Sequence, residues 1–160
     1  MLSQKQFDEI SDCLSELARK LRVTALLLID SGGRIIAQHM LEEWKVNATI
    51  LAVLTASTHA ASREMARLLR ESSNFKMVLY EGEEHNAYVS AAGENTFLVV
   101  VFESSVALGM VRLFTKRTIA RLMPVLNRQD APSVGMDQIF DNRFQTILDD
   151  ELDRSFKEMG

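Results

Sequence analysis

The stretch that decides the fold is residues 48–70, which read ATILAVLTASTHAASREMARLLR. This stretch contains neither Gly nor Pro, and Asn47 before it is a favourable N-cap, so the sequence predicts one long helix. Residues 48–61 carry no charge on any side. A helix on the surface of a domain normally has one charged face, so this helix needs partners on two sides.

One expected partner of the helix is a sheet of the same chain, and the other is the same helix of a second copy. Ala52, Ala56 and Ala60 recur every four residues, and we expect this small side to let the second copy approach closely. The bulky side is formed by Ile50, Leu51, Leu54 and Met65. The alternative is the central helix of a monomer, but the chain has too few other helices to surround it.

Five predicted strands flank this helix in the sequence. Residues 23–30 and 96–102 are continuously apolar, which is typical of strands buried on both faces, so we expect them to be central neighbours. Gly-containing turns join the other strands as a hairpin and an antiparallel meander. The expected order is second, first, fifth, fourth, third, and the exposed edge at 75–81 invites pairing with another chain. The predicted dimer-interface residues are Val53, Phe75, Met77 and Leu79.

Two further helices are predicted. Apolar residues at alternating spacings of three and four indicate an amphipathic helix over about residues 3–21, with Ser3 and Gln6 as a capping box. A third helix is expected over about residues 106–123, capped by Ser104 or Ser105. Pro124 should end or kink this helix because its ring removes a backbone hydrogen bond.

The C-terminal part reads as a linker followed by an acidic amphipathic extension. The linker, residues 127–136, contains Pro, Gly and polar residues. An apolar ladder then recurs every four residues, at Phe140, Phe144, Leu148, Leu152 and Phe156. The ladder predicts either a segment that docks into a partner's groove or one that folds back on its own domain. We therefore divide the chain into a domain of residues 1–127 and an extension of residues 128–160.

The composition excludes several classes of protein. A net charge of −4 without a basic stripe disfavours nucleic acid as a partner. A single Cys excludes an internal disulfide framework. Neither a signal-type segment nor an apolar run of membrane-spanning length is present, so we expect a cytoplasmic protein without a membrane partner.

The sequence offers no catalytic constellation. The three histidines (His39, His59 and His85) fall in different elements and form no metal-binding pair, and neither a phosphate loop nor a nucleophile elbow occurs. We therefore expect no catalytic residues, cofactor or metal, and an interaction module rather than an enzyme. A small-molecule sensor domain is an alternative, which requires a sizeable apolar pocket with convergent polar groups.

The order of elements resembles the Roadblock family of dynein-light-chain-like domains, and more narrowly its bacterial MglB-type regulators. The residues that carry the resemblance are LLLIDSGGRIIA at 26–37, LAVLTASTHAAS at 51–62, FLVVVFESSVALGMVRL at 97–113 and the acidic DDELDRSF at 149–156. The resemblance implies an α+β, Roadblock/profilin-like fold. Its five-stranded antiparallel sheet, in the order 2-1-5-4-3, would have helices on both faces and a C-terminal helical extension.

The resemblance also implies a function. Proteins of this type form a homodimer with a shared sheet, bind a small Ras-like GTPase in its GTP state and accelerate hydrolysis without an arginine finger, in bacterial polarity or motility. If the family's GTPase-binding surface is transferred to the matching positions of this chain, the resemblance implies that the GTPase-facing residues are Ala56, Ser57, Ala60, Arg63, Glu64 and Arg67. The C-terminal ladder would be a second contact. This chain departs from the family in having Ser62-Arg63-Glu64-Met65 where small residues are common, which would impede a GTPase or change the partner preference. A scaffold that binds a GTPase or motor complex without accelerating hydrolysis is the alternative.

Overall fold

The computed structural model describes residues 2–72, 75–128, 150 and 154. Residues 9–128 form one compact unit. The predicted linker from Gln129 onwards and the five ladder residues lie outside the described residues. The helices and strands are α1 (Gln4–Leu21), β1 (Val23–Asp30), β2 (Ile35–Met40), α2 (Ala48–Leu68), β3 (Met77–Glu81), β4 (His85–Ala91), β5 (Thr96–Glu103) and α3 (Leu108–Asn127).

The start of α1 belongs to a second compact unit, which includes residues 2–8. There Ser3 and Gln6 form the predicted capping box. The Gln6 backbone N–H donates to Ser3 Oγ at 3.1 Å, and the Ser3 backbone N–H donates to Gln6 Oε1 at 2.8 Å. Two of the backbone donors at the beginning of the helix are thereby satisfied.

The strands form one antiparallel sheet in the order β2-β1-β5-β4-β3, as the sequence predicts. The two continuously apolar strands, β1 and β5, lie side by side, with Leu27 opposite Val99. Every residue of β1 except Asp30 is buried. Both faces of these central strands must therefore be covered by other elements.

Helices cover the two faces of the sheet. On one face, Ala52 of α2 packs in a cluster with Leu27 and Val99. Because side chains alternate along a strand, Leu26 and Leu98 face the other way, where α1 and α3 supply the second layer. The buried residues of that layer include Ile10, Leu14, Leu17, Val111 and Leu122. The structure is the predicted α+β fold, a five-stranded antiparallel sheet with helices on both faces.

The boundaries of α3 differ from the prediction. Its N-cap is Ala107, which makes no side-chain capping bond, because Ser104 Oγ instead donates to the Glu83 carbonyl at 2.7 Å. The helix also continues through Pro124 to Asn127. Proline removes one backbone donor but has a helical φ, and the burial of Leu122 and Val125 on either side of it retains the last turn.

Candidate interaction surface

The inner side of α2 is small and packs on the sheet of its own chain. Asn47 begins the helix as predicted, since its Oδ1 accepts from the Ile50 backbone N–H at 3.1 Å. Ala52, Ala56, His59 and Ala66 are the buried residues of the helix. Ala52 and Ala56 therefore pack on the sheet of their own chain, where branched side chains fill the surface and alanines let the helix lie close to it, whereas Ala60 is exposed. Which side of the helix meets a second copy stays a prediction.

The outer side of α2 is apolar and exposed. Its large exposed residues are Ile50, Val53, Leu54, Met65 and Leu68, and the C-cap residue Leu69 is also exposed. The hydroxyls between them are already used inside the helix, since Thr55 donates to the Leu51 carbonyl at 2.7 Å and Thr58 to the Leu54 carbonyl at 2.8 Å. Because each of these hydroxyls already donates to a carbonyl of the same helix, it does not need a water molecule as an acceptor. An exposed apolar surface of this length is typical of a protein–protein contact.

The two flanks of α2 face opposite edges of the sheet. Val53 lies against the β1–β2 turn, because a Cβ at Gly33 would be 2.9 Å from Val53 Cα. Leu51 lies on the other flank, where it shares a cavity with Tyr80 of β3 and Ala87 of β4. Since β2 and β3 are the two edges of the sheet, the flank of Leu51 is the one beside the β3 edge.

The flank beside β3 carries a heptad-like stripe. Its residues alternate at spacings of three and four, as in a helix–helix seam, and are Leu51, Leu54, Thr58, Ala61, Met65 and Leu68. A second stripe with the same alternation runs along the flank beside the β1–β2 turn and consists of Val53, Ser57, Ala60, Glu64 and Arg67. The helix therefore presents two separate surfaces. Leu51, Leu54 and Met65 of the first stripe belong to the bulky side that the sequence indicates, but their regular spacing with Thr58, Ala61 and Leu68 was not used to expect a helix–helix seam there.

The β3 strand pairs only with β4 among the described residues, so its outer edge is open. Phe75, Met77 and Leu79 are all half-buried. Val78 is paired with Val89, which packs with α2, so alternation places Met77 and Leu79 on the opposite face of the sheet. The structure therefore does not bring Val53, Met77 and Leu79 together on one surface, and their role as dimer contacts stays a prediction.

The residues predicted to face a GTPase lie mostly on the second stripe. Ser57, Ala60, Arg63, Glu64 and Arg67 are exposed, and Arg67 Nη1 forms an ion pair with Glu64 at 3.1 Å. Ala56 differs, because it is only 8% exposed and belongs to the inner side of the helix.

His59 is a buried polar residue of α2. Its ring lies 3.9 Å from the ring of Phe97, measured between centroids, and its Nε2 has no hydrogen-bond partner. Burial, followed by the nearby charge of Arg63, lowers the pKa of His59 below its usual value. The His59 ring is therefore a neutral, buried side chain that packs against Phe97 of β5. Among the described residues no group of three or more His, Cys, Asp or Glu side chains is placed to hold a metal ion.

The fold and this surface define the class of protein. The family model of the Roadblock/LC7 domain matches residues 9–102, more than half of the chain, and the chain therefore belongs to the Roadblock/LC7 family. No curated protein sequence matches the chain. Across residues 2–72 and 75–128, no helix is long and apolar enough to cross a membrane.

Solved structures narrow the similarity to MglB proteins. MglB of Myxococcus xanthus is 28% identical with a TM-score of 0.70, and the match covers 74% of this chain and 94% of that protein. The gliding protein MglB of Thermus thermophilus is 31% identical with a TM-score of 0.72, covering 78% and 93% respectively. An MglB described as having a tetrameric arrangement gives the same values. These matches indicate a Roadblock-type regulator.

Proposed function

We propose that this chain forms a homodimer that binds a small Ras-like GTPase in its GTP state and accelerates GTP hydrolysis. The observation that carries the proposal is the exposed apolar surface of α2, whose hydroxyls are hydrogen-bonded within the helix and whose two flanks carry separate stripes. One stripe serves the second copy and the other serves the GTPase. By its similarity to MglB proteins, the cellular role would be polarity or motility control in the cytoplasm.

The dimer would join two open β3 edges and two α2 helices. Because β3 lacks an outer partner among the described residues, two copies related by a two-fold axis can continue the sheet across both edges. The same axis sets the α2 helices antiparallel, with the stripe from Leu51 to Leu68 facing its copy. Burial of Leu54 and Met65 there supplies apolar stabilisation at about 25 cal/mol per Å² removed from water.

The GTPase would contact the second stripe, which stays exposed after the helices pair. Ser57 and Ala60 are small enough for close approach, and Glu64 and Arg67 supply polar contacts beside them. No catalytic residue is required of this chain, because phosphoryl transfer depends mainly on orientation and charge placement. Docking that positions the GTPase's own residues and its attacking water is sufficient. The C-terminal ladder, Phe140 to Phe156, is proposed as a second contact.

The test mixes the protein with the Ras-like GTPase of the same genome, loaded with a non-hydrolysable GTP analogue, and measures the mass of the product. We expect a complex of two copies per GTPase, and faster hydrolysis when GTP replaces the analogue. Ala60→Arg should abolish the complex, whereas Leu113→Ser, on the exposed side of α3, should not. A complex without faster hydrolysis would identify a scaffold. Absence of a complex with this GTPase would refute the proposal.

A further inference from the structure

An apolar cavity lies beside the first turn of α2, on the same side of the sheet as the helix. Its volume is about 350 Å³, and its apolar walls include Trp44, Val46, Leu51, Tyr80, Ala87 and Val101. The Trp44 ring lies 6.4 Å from the ring of His85 at the mouth. Val46 and Tyr80 are substantially exposed, so the opening faces solvent in a single copy.

The surroundings of this cavity are acidic. The loop before α2 contributes Glu42 and Glu43, and the turn between β3 and β4 contributes Glu83 and Glu84, all exposed. Glu81 lines the cavity itself. Lys45 is the one Lys or Arg within residues 41–47 and 80–87. An occupant with apolar side chains flanked by basic residues would match both the walls and the rim.

The other end of α2 has the complementary chemistry. Leu68 and Leu69 are 84% and 66% exposed, although they are large and apolar. The backbone of this turn is held in place, because the Leu69 backbone N–H donates to the Met65 carbonyl and the Glu71 N–H to the Ala66 carbonyl, which closes the helix end. Arg67 and Arg70, both exposed, lie beside them.

The stripe on α2 aligns these two ends when the helix meets its own copy. The stripe has the same spacing read in either direction, so an antiparallel pair places Leu51 opposite Leu68, Leu54 opposite Met65, and Thr58 opposite Ala61. Leu69 follows Leu51 by 18 residues, which is five helical turns, so both point to the same side of the helix. Leu69 of a second copy is thereby directed at the wall that contains Leu51.

We propose that the Trp44 cavity is the receptor for the last turn of α2 of a second copy, whose Leu68 and Leu69 fill it while Arg70 faces the glutamates of its rim. The inference rests on the proposed homodimer and adds its register and its anchor residues. Each dimer contains two such contacts, one at each end of the paired helices. The charges also disfavour a parallel pair of α2 helices, because that arrangement would bring the acidic rims of the two copies together at one end and their basic helix ends together at the other.

Trp44 is the only tryptophan of the chain, so its fluorescence reports the cavity directly. The experiment follows Trp44 emission and acrylamide quenching of the full chain over a dilution series, with the mass measured by sedimentation at each concentration. We expect Trp44 to be protected in the dimer and to become quenchable as the dimer dissociates. Leu68→Ser combined with Leu69→Ser should weaken self-association at least tenfold and expose Trp44 at concentrations where the unaltered chain is dimeric. Leu113→Ser should change neither.

Each other outcome is decisive. A dimer in which Trp44 is equally quenchable with and without both leucines would overturn the cavity contact and leave the homodimer standing. Trp44 protection that arises only on addition of the GTPase would assign the cavity to that partner and overturn the inference. A chain that is monomeric at every concentration would refute both the contact and the homodimer.

Discussion

Gly33, in the turn between β1 and β2, lies directly against Val53 of α2: a Cβ at residue 33 would be 2.9 Å from Val53 Cα and 3.4 Å from the Ala52 carbonyl oxygen. Gly33 also has a φ of +85°, a conformation that residues with a side chain rarely adopt. The contact sets how closely α2 approaches the hairpin. It therefore also fixes which flank of the helix remains beside β3.

Gly33→Ala should destabilise the fold by about 2 to 4 kcal/mol, because it combines left-handed backbone strain with a clash against backbone atoms. Urea unfolding of both proteins measures the change. Gly32→Ala is the matched control, since its nearest atom would be Asp30 Oδ1 at 3.4 Å and its φ is not positive. Equal stability of the two variants would show that the hairpin does not constrain α2.

Gly109→Ala should have the opposite effect and raise the free energy of unfolding by about 0.5 to 1 kcal/mol. Gly109 lies in the first turn of α3, where an added Cβ would meet no atom within 4 Å. Alanine restricts the unfolded chain more than glycine does and fits this helix without strain. Thermal unfolding checks the prediction, and a lower melting temperature for Gly109→Ala would contradict it.

His59 should make stability depend on pH. Its folded-state pKa is lowered by burial, whereas the unfolded chain takes up the proton near pH 6.5, so stability is complete above that value and is lost as pH falls towards the folded pKa. The slope can reach about 1.4 kcal/mol per pH unit. Denaturant unfolding between pH 5 and 8 measures it.

His59→Leu should remove most of this slope, because leucine does not titrate. The fold should accept leucine there, since Nε2 of His59 makes no hydrogen bond that would be lost. His39→Gln, on β2, serves as the control and should retain the slope. A His59→Leu variant that loses stability below pH 6.5 as steeply as the unaltered chain would show that another group is responsible.

Glu16 and Arg121 join α1 to α3 by an ion pair, to which Lys20 adds a second partner at 3.0 Å. The Arg121 hydrogen bond, followed by that of Lys20, lowers the pKa of Glu16 to about 2. The contribution of this pair to stability is therefore present above pH 4.5 and is lost as pH falls towards 2. Arg121→Gln should raise the pKa of Glu16 towards its ordinary value in a carboxyl titration by NMR.

The control for this titration is Arg117→Gln. Arg117 lies over the Phe114 ring, 5.8 Å from its centroid, and forms no ion pair with Glu16. The pKa of Glu16 should remain at about 2 in that variant. Identical shifts in the two variants would indicate a general effect of charge rather than the specific pair.

The sheet order was predictable because two continuously apolar strands require burial on both faces, and β1 and β5 have that pattern. The orientation of α2 was not predictable from Ala52 and Ala56, because an alanine every four residues suits close packing on a sheet as well as on a helix. The continuation of α3 through Pro124 was not predictable from the local sequence, because the burial of Leu122 and Val125 on either side offsets the hydrogen bond that the proline removes. The Trp44 cavity is assembled from residues far apart in the sequence, and no local pattern indicates it.

The central claim is that a second copy covers the Leu54 flank of α2, and sedimentation equilibrium of single-residue variants tests it most directly. The unaltered chain should have twice the monomer mass, Leu54→Asp should be a folded monomer by circular dichroism and sedimentation, and Ser57→Asp, on the other stripe, should remain a dimer. An unaltered chain that sediments as a monomer, or a Leu54→Asp variant that dimerises as well as Ser57→Asp, would contradict the account.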